Sequence, residues 1–202
     1  MLENYYEKKS WKKDELILGI DEAGRGPLAG PLVVAGVVFP KNYQNDFIND
    51  SKKLTKSKRI DLFQAIINDA LFYQIEVISV AEIDEINILK ATTNANYKIA
   101  KLANTNYVLT DAIKLELEKQ EVISLIKGDQ KSISIAGASI LAKVIRDNLM
   151  EYYDFLYPAY GLKQHKGYPT EKHIMAIKKL GLSPIHRKSF KIKSLQQITL
   201  DL

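Results

Sequence analysis

Cysteine is absent from the 202 residues, and only three histidines are present. The first absence excludes disulfides, thiolate metal sites and cysteine nucleophiles together. The wide spacing of His165, His173 and His186 disfavours a zinc centre, and each imidazole is expected at the surface or on the substrate side. No apolar run approaches the roughly 20 residues needed to span a bilayer. The opening MLENYYEKKSWKKDE carries positive charge without the apolar segment of a secretory signal, so a soluble, cytoplasmic chain is expected. Arginine is scarce, four of 29 basic residues, in a chain also rich in Ile, Asn and Tyr, as an AT-rich coding bias produces.

A hydrophobic fraction of 46% suits one packed core. Residues 1–202 therefore read as a single domain, with about 1–14 as an N-terminal segment and about 158–202 as a C-terminal helical cap. The net charge of +5 and a pI near 9.1 favour a polyanionic partner. Tyr5, Tyr6 and Trp11 are spaced to dock one helical face on the body. ELILGI and PLVVAGVVFP read as buried strands separated by a glycine turn. A dinucleotide or P-loop site needs a helix after its glycine loop, and here another strand follows.

A helix entered at Thr55 or Ser57 carries Ile60, Leu62, Phe63, Ile66 and Ile67 on its apolar face, and LFYQIEVISV is a third strand. The next stretch has helical periodicity through Ile86, Leu89, Tyr97, Ile99 and Leu102, with a break near its middle. NYVLTDA and EVISLIKGD read as strands ending at Asp111 and near Asp129. A long helix from Ser132 to about Tyr153 and another near 170–180 complete the pattern. Three successive strands, then strands alternating with helices, predict an α/β fold with a mixed sheet and helices against it.

GIDEAGRGPLAGPLVVAG sets Asp21 and Glu22 beside a glycine turn. Asp21 and Glu22 end the first strand, Asp111 the fourth, and Asp129 lies just past the fifth; sites in open sheets gather where strands end. Clustered carboxylates resist joint ionisation unless a divalent cation compensates them. Mg2+ or Mn2+ takes such hard oxygen ligands, and two ions about 4 Å apart serve in-line displacement at phosphorus. Neighbouring strand residues face opposite ways, so a bend at Ala23-Gly24 is expected to bring Glu22 back towards Asp21. An aspartate after a strand is more commonly a turn residue or helix cap, and spacing alone leaves that reading open.

These segments resemble ribonuclease HII, the type 2 ribonuclease H family. GIDEAGRGPLAGPLVVAGV resembles its first motif, DSKKLTKSKR its second, LTDAIKL its third and IKGDQKSISIAGASILAKVIRD its fourth; KGYPTEKH and HRKSF resemble later signatures. The likeness covers nearly the whole chain in the family's order. It implies a ribonuclease H-like fold, with a five-stranded mixed β-sheet flanked by helices and a C-terminal helical extension. It implies Asp21, Glu22, Asp111 and Asp129 as ligands of two Mg2+ or Mn2+ ions. The implied activity is hydrolysis of RNA in RNA-DNA hybrids and incision of DNA duplexes at single ribonucleotides, leaving 3'-hydroxyl and 5'-phosphate ends. The related ribonuclease HIII family has an extra N-terminal domain and usually a lysine in the glycine motif, so GRG and the chain length favour HII.

By the same resemblance, backbone groups of Gly24, Arg25 and Gly26 contact the ribonucleotide 2'-hydroxyl and Tyr168 packs on the adjacent deoxyribose, which favours an RNA-to-DNA junction. The 2'-hydroxyl is what separates RNA from DNA, and glycine allows close backbone approach. Beside such a site the basic run 52–59 is read as contacting phosphates, Ser51 and Lys52 foremost. Lys143 and Arg146 read as surface partners of Asp147 or Glu151 on the long helix. The terminus QQITLDL bears a weak likeness to sliding-clamp-binding peptides, and a monomer is expected. A noncatalytic nucleic-acid module fits less well, because binding phosphate would favour loss of the four acids. A nucleotide-binding enzyme lacks both the GK[ST] signature and the following helix.

Overall fold

The computed structural model describes residues 2, 4–48 and 54–191. The expected phosphate contacts Ser51 and Lys52 and the clamp-like tail 196–202 lie outside these residues. Five strands form one sheet: β1 (Ile17–Ala23), β2 (Leu32–Val38), β3 (Phe72–Ile78), β4 (Tyr107–Asp111) and β5 (Glu121–Leu125). Their order is β3-β2-β1-β4-β5, with β1 antiparallel to β2 and parallel to β4. The helices are α1 (Tyr5–Trp11), α2 (Lys56–Asp69), α3 (Val80–Ile86), α4 (Ile88–Ala103), α5 (Ile133–Leu156), α6 (Leu162–His165) and α7 (Glu171–Leu180). The mixed five-stranded sheet and flanking helices follow the expectation, as does the break at Asn87 between α3 and α4.

The sheet is covered on both faces, which is why LVVAGVV in β2 is buried at every position. Val33, Ala35 and Val37 pack with Ile133, Ile140 and Leu141 of α5 and with Leu62 and Ile66 of α2. Val34 and Val38 meet Ala91, Ala95 and Ile99 of α4 on the other face. That helix turns its small residues inward, so the expected inward positions Leu89, Tyr97 and Leu102 are exposed, as is Ile60 on α2. The cause is close packing: a Cβ at Gly36 of β2 would stand 2.4 Å from Ile99 Cγ2. Around Ile99 the helix face is made of Ala91, Ala95 and Ala100, which fill the remaining space.

Helix α5 lies close against β1 for a related reason. A Cβ at Gly19 would fall 2.3 Å from the Ile135 nitrogen, so only glycine admits this approach. The first backbone N–H groups of α5 lack partners within the helix and must be satisfied from elsewhere. Ser132 Oγ accepts from Ile135 N at 3.1 Å, while Asn4 Oδ1 takes Ile133 N at 2.9 Å and Glu7 Oε1 takes Ser134 N at 3.3 Å. The N-terminal segment thus docks through buried Asn4, Glu7 and Ser10 and caps α5, whereas Tyr5, expected inward, is exposed.

Burial raises the Glu7 carboxyl above the usual range, although hydrogen bonds from Ser132 and Ser134 pull it down. Its Oε2 is buried without a hydrogen-bond partner. An acid raised in the folded state favours folding below its unfolded value of 4.5, and that contribution is lost as pH climbs through the folded value. Glu7→Gln should therefore gain thermal midpoint relative to the parent as pH rises from 4.5 to neutrality. A pH-independent difference between the two melting curves would contradict this reading.

Candidate active site

The parallel pairing of β1 with β4 places Ile20 beside Thr110, so Asp21 and Asp111, one residue further along, emerge side by side on one face. This is the α5 face, where Ser139 hydrogen-bonds the Asp21 carboxyl. Strand β1 runs on to Ala23 with regular pairing of Asp21 to Ala35 and Glu22 to Val34. The expected bend therefore follows Glu22, at Gly24 (φ 103°), and does not redirect it. Glu22 nonetheless reaches the same space, and its N–H donates to Asp21 Oδ1 at 2.7 Å.

A cavity of about 370 Å³ opens at this edge. Asp21, Glu22 and Asp111 line it together with the Gly24–Gly26 turn, with Ser139, Lys143 and Arg146 of α5 and with Tyr168. Asp129 is buried in the 3-10 turn Gly128–Gln130 and does not wall this cavity. That turn is tied to the site through Gly128 N–H, which donates to Asp111 Oδ1 at 2.9 Å. Burial, then the charge of Glu22, pushes the Asp21 carboxyl well above the usual carboxylate range; Asp111 adds to this against the pull of Ser139.

Among the described residues no three such groups are already gathered as a metal cage. Glu22 Oε1 is drawn to Arg25 Nη1 at 3.3 Å and Asp111 to Gly128. The donor chemistry still suits a hard divalent cation: three oxygen acids line one cavity, and their mutual repulsion is what such an ion relieves.

The glycine loop is held by two buried guanidinium groups. Arg146, expected at the surface, is 1% exposed and donates to Pro31 O at 3.0 Å and Ala29 O at 3.2 Å. Lys143 does pair with Asp147, at 2.7 Å, and Glu151 takes Lys56 and Lys166. Arg187, 2% exposed, donates to the carbonyls of Gly24 (2.6 Å), Arg25 (3.0 Å) and Gly30 (2.8 Å). Gly24, Arg25 and Gly26, anchored in this way, line the cavity. A Cβ at Gly24 would sit 2.0 Å from Arg146 Nε in a left-handed backbone, so glycine is required there.

The sequence reading missed Ser139, Lys143, Arg146 and Arg187. The first three recur at i, i+4 and i+7 in the largely apolar first half of α5, a polar stripe that periodicity alone could have flagged. Arg187→Ala strands three carbonyls, each costing about 1 kcal/mol or more when buried without a partner. Loss of about 3 kcal/mol in chemical denaturation is expected. The partly exposed Arg25→Ala should leave the denaturation midpoint near the parent's; equal losses from the two variants would contradict the anchoring role of Arg187.

The family model described as Ribonuclease HII matches residues 18–193. The chain is 50% identical to a Ribonuclease HII of Clostridioides difficile (strain 630) over 190 residues, 93% of this chain and 74% of that one. The crystal structure of the ribonuclease H2 from Pyrococcus horikoshii OT3 superposes with a TM-score of 0.73 at 26% identity, covering 92% of this chain and 98% of that one. Two more distant structures share the fold. They are the PCNA:RNase HII complex from Archaeoglobus fulgidus (TM-score 0.74, 24% identity, 88% and 96% covered) and Bst-RNase HIII in complex with Mn2+ (TM-score 0.68, 16% identity, 92% and 70% covered). The chain, with its acids at the ends of β1 and β4, belongs to the ribonuclease HII family and is a nuclease of the hydrolase class.

Proposed function

We propose that this chain hydrolyses the RNA strand of RNA-DNA hybrids and incises duplex DNA at single embedded ribonucleotides, leaving 3'-hydroxyl and 5'-phosphate ends. The observation that carries this reading is the sharing of one cavity by three carboxylates, the GRG backbone and Tyr168. Asp21, Glu22 and Asp111, with Asp129 from behind the wall, would hold two Mg2+ or Mn2+ ions. Bound cations supply the positive charge that the acids and the scissile phosphate both need, and they acidify water for attack. The chain's own residues position the substrate. The Gly24–Gly26 edge meets the 2'-hydroxyl, Tyr168 packs on the neighbouring deoxyribose, and Lys143 adds positive charge beside the phosphate.

The Mn2+ complex of the HIII relative supports the choice of metal, and the PCNA complex of the Archaeoglobus relative supports a sliding clamp as a partner through 196–202. We take residues 1–202 to act as one monomeric catalytic domain in the cytoplasm. Among the described residues no helix is long and apolar enough to cross a membrane.

Asp21→Asn tests the site in two ways. Cleavage of a duplex containing one ribonucleotide should fall below detection, and the rise in thermal midpoint produced by Mn2+ should disappear. Without metal the variant should melt no lower than the parent, because it removes a buried like charge. Full activity in the variant would refute the site. Tyr168→Ala should weaken junction cleavage by about tenfold, as expected for losing one packed aromatic contact, and an unchanged rate would refute the sugar-packing role.

A further inference from the structure

Tyr168 is 45% exposed, so the ring itself has few packing neighbours to hold it. It must nevertheless stand at a set height over the glycine loop: a Cβ at Gly26 would lie 3.7 Å from its Cε1, and Arg146 sits 6.0 Å from the ring centre. Its backbone supplies the restraint. Tyr168 N–H donates to His165 O at 2.9 Å, and its carbonyl accepts from Thr170 N at 2.8 Å and from His173 Nδ1 at 2.9 Å.

That imidazole belongs to a cluster of three. His165, His173 and His186, expected at the surface or on the substrate side, are only 9%, 0% and 1% exposed. His165 and His173 stack at 4.3 Å, and His173 Nε2 lies 3.1 Å from His186 Nε2. The outer partners fix the proton on each ring. A carbonyl only accepts, so His173 carries its proton on Nδ1 and presents a lone pair at Nε2. Ser183 N–H donates to His186 Nδ1 at 3.0 Å, which leaves His186 Nε2–H to donate to His173. Gly167 N–H donates to His165 Nδ1 at 3.2 Å, so His165 donates from Nε2 to Tyr160 O at 2.8 Å.

The chain of donors is complete only when all three rings are neutral. A proton added to His173 Nε2 would face the His186 N–H. Burial pushes His173 down to about 4 and lowers His186 as well, in keeping with the neutral forms that the hydrogen bonds of these two rings require. The same cluster grips the loop from a second side. Gly167, bonded to His165, accepts Leu28 N–H at 2.8 Å and passes so close to Ala29 O that a Cβ would stand 2.4 Å away.

We infer that His165, His173 and His186 form a neutral positioning unit that fixes Tyr168 over Gly26 and thereby sets the preference for a deoxyribose beside the ribonucleotide. The inference rests on the sugar-packing role proposed for Tyr168. None of the three histidines touches substrate; they act through the Tyr168 carbonyl and Gly167.

Two variants and one spectrum test it. His173→Phe keeps the stacked ring but removes both nitrogens, while His173→Asn keeps an amide N–H near the position of Nδ1. The first should lower kcat/KM on a single-ribonucleotide duplex by about tenfold, the worth of one buried hydrogen bond, and alter a uniform RNA-DNA hybrid by less than about twofold. His173→Asn should recover most of that loss, and in a Tyr168→Ala background His173→Phe should cost nothing further. Equal losses on both substrates, or additive losses in the double variant, would overturn the positioning role. An unchanged junction preference in Tyr168→Ala alone would overturn the sugar-packing reading and the inference with it. Independently of any variant, 15N-1H long-range spectra at neutral pH should show Nδ1–H on His173 and Nε2–H on His165 and His186. An imidazolium or the opposite tautomer at His173 would overturn the unit.

Discussion

The buried guanidinium of Arg187 is the contact on which the rest of the site depends. It gathers the carbonyls of Gly24, Arg25 and Gly30 at the point where the chain leaves β1, and Arg146 does the same for Ala29 and Pro31 from the side of α5. Burying two cations beside each other is costly, and Arg187 is lowered to about 9 by its burial and by Arg146. The return is a loop whose inner edge is saturated, so that its outer edge stays fixed beside Asp21 and Glu22.

The C-terminal segment is thereby part of the site. Leu28 and Ala29 of the loop pack with Tyr160, Leu162 and Ile177 from that segment and with Met150 of α5, and backbone bonds from Gly30 N to Ile185 O and Arg187 N to Leu28 O seal the junction. Asp84 in the last turn of α3 accepts from Lys188 N and from the Ser189 N–H and hydroxyl, anchoring the segment that carries Arg187. Those hydrogen bonds, outweighing burial, hold the Asp84 carboxyl below its ordinary value. The sheet supplies acids, α5 supplies the floor, and the cap supplies the clamp on the loop.

Much of this arrangement was legible in the residues. The strands were, because the short continuous apolar runs of β1 and β2, set apart by a glycine turn, leave few other readings, and the ends of β1 and β4 pointed to Asp21 and Asp111. Inward faces were legible only where large residues face in. In α4 the buried face consists of Ala91, Ala95 and Ala100 around Ile99, with Leu89 and Tyr97 outward, which a hydrophobicity count reverses. Arg146 and the histidines were misplaced for another reason. Their partners are backbone groups and one another, brought together from positions as far apart as Ala29 and Arg146; periodicity can mark Arg146 as a polar residue on the helix, but no spacing rule encodes such contacts.

The most direct measurement compares cleavage of three matched duplexes, one all-DNA, one with a single ribonucleotide and one a uniform RNA-DNA hybrid, with Mg2+, with Mn2+ and without metal. The account predicts metal-dependent cutting of the two ribonucleotide-containing duplexes, with 3'-hydroxyl and 5'-phosphate ends, and an intact all-DNA duplex. Metal-independent cleavage, or cutting of the all-DNA duplex at a comparable rate, would contradict it.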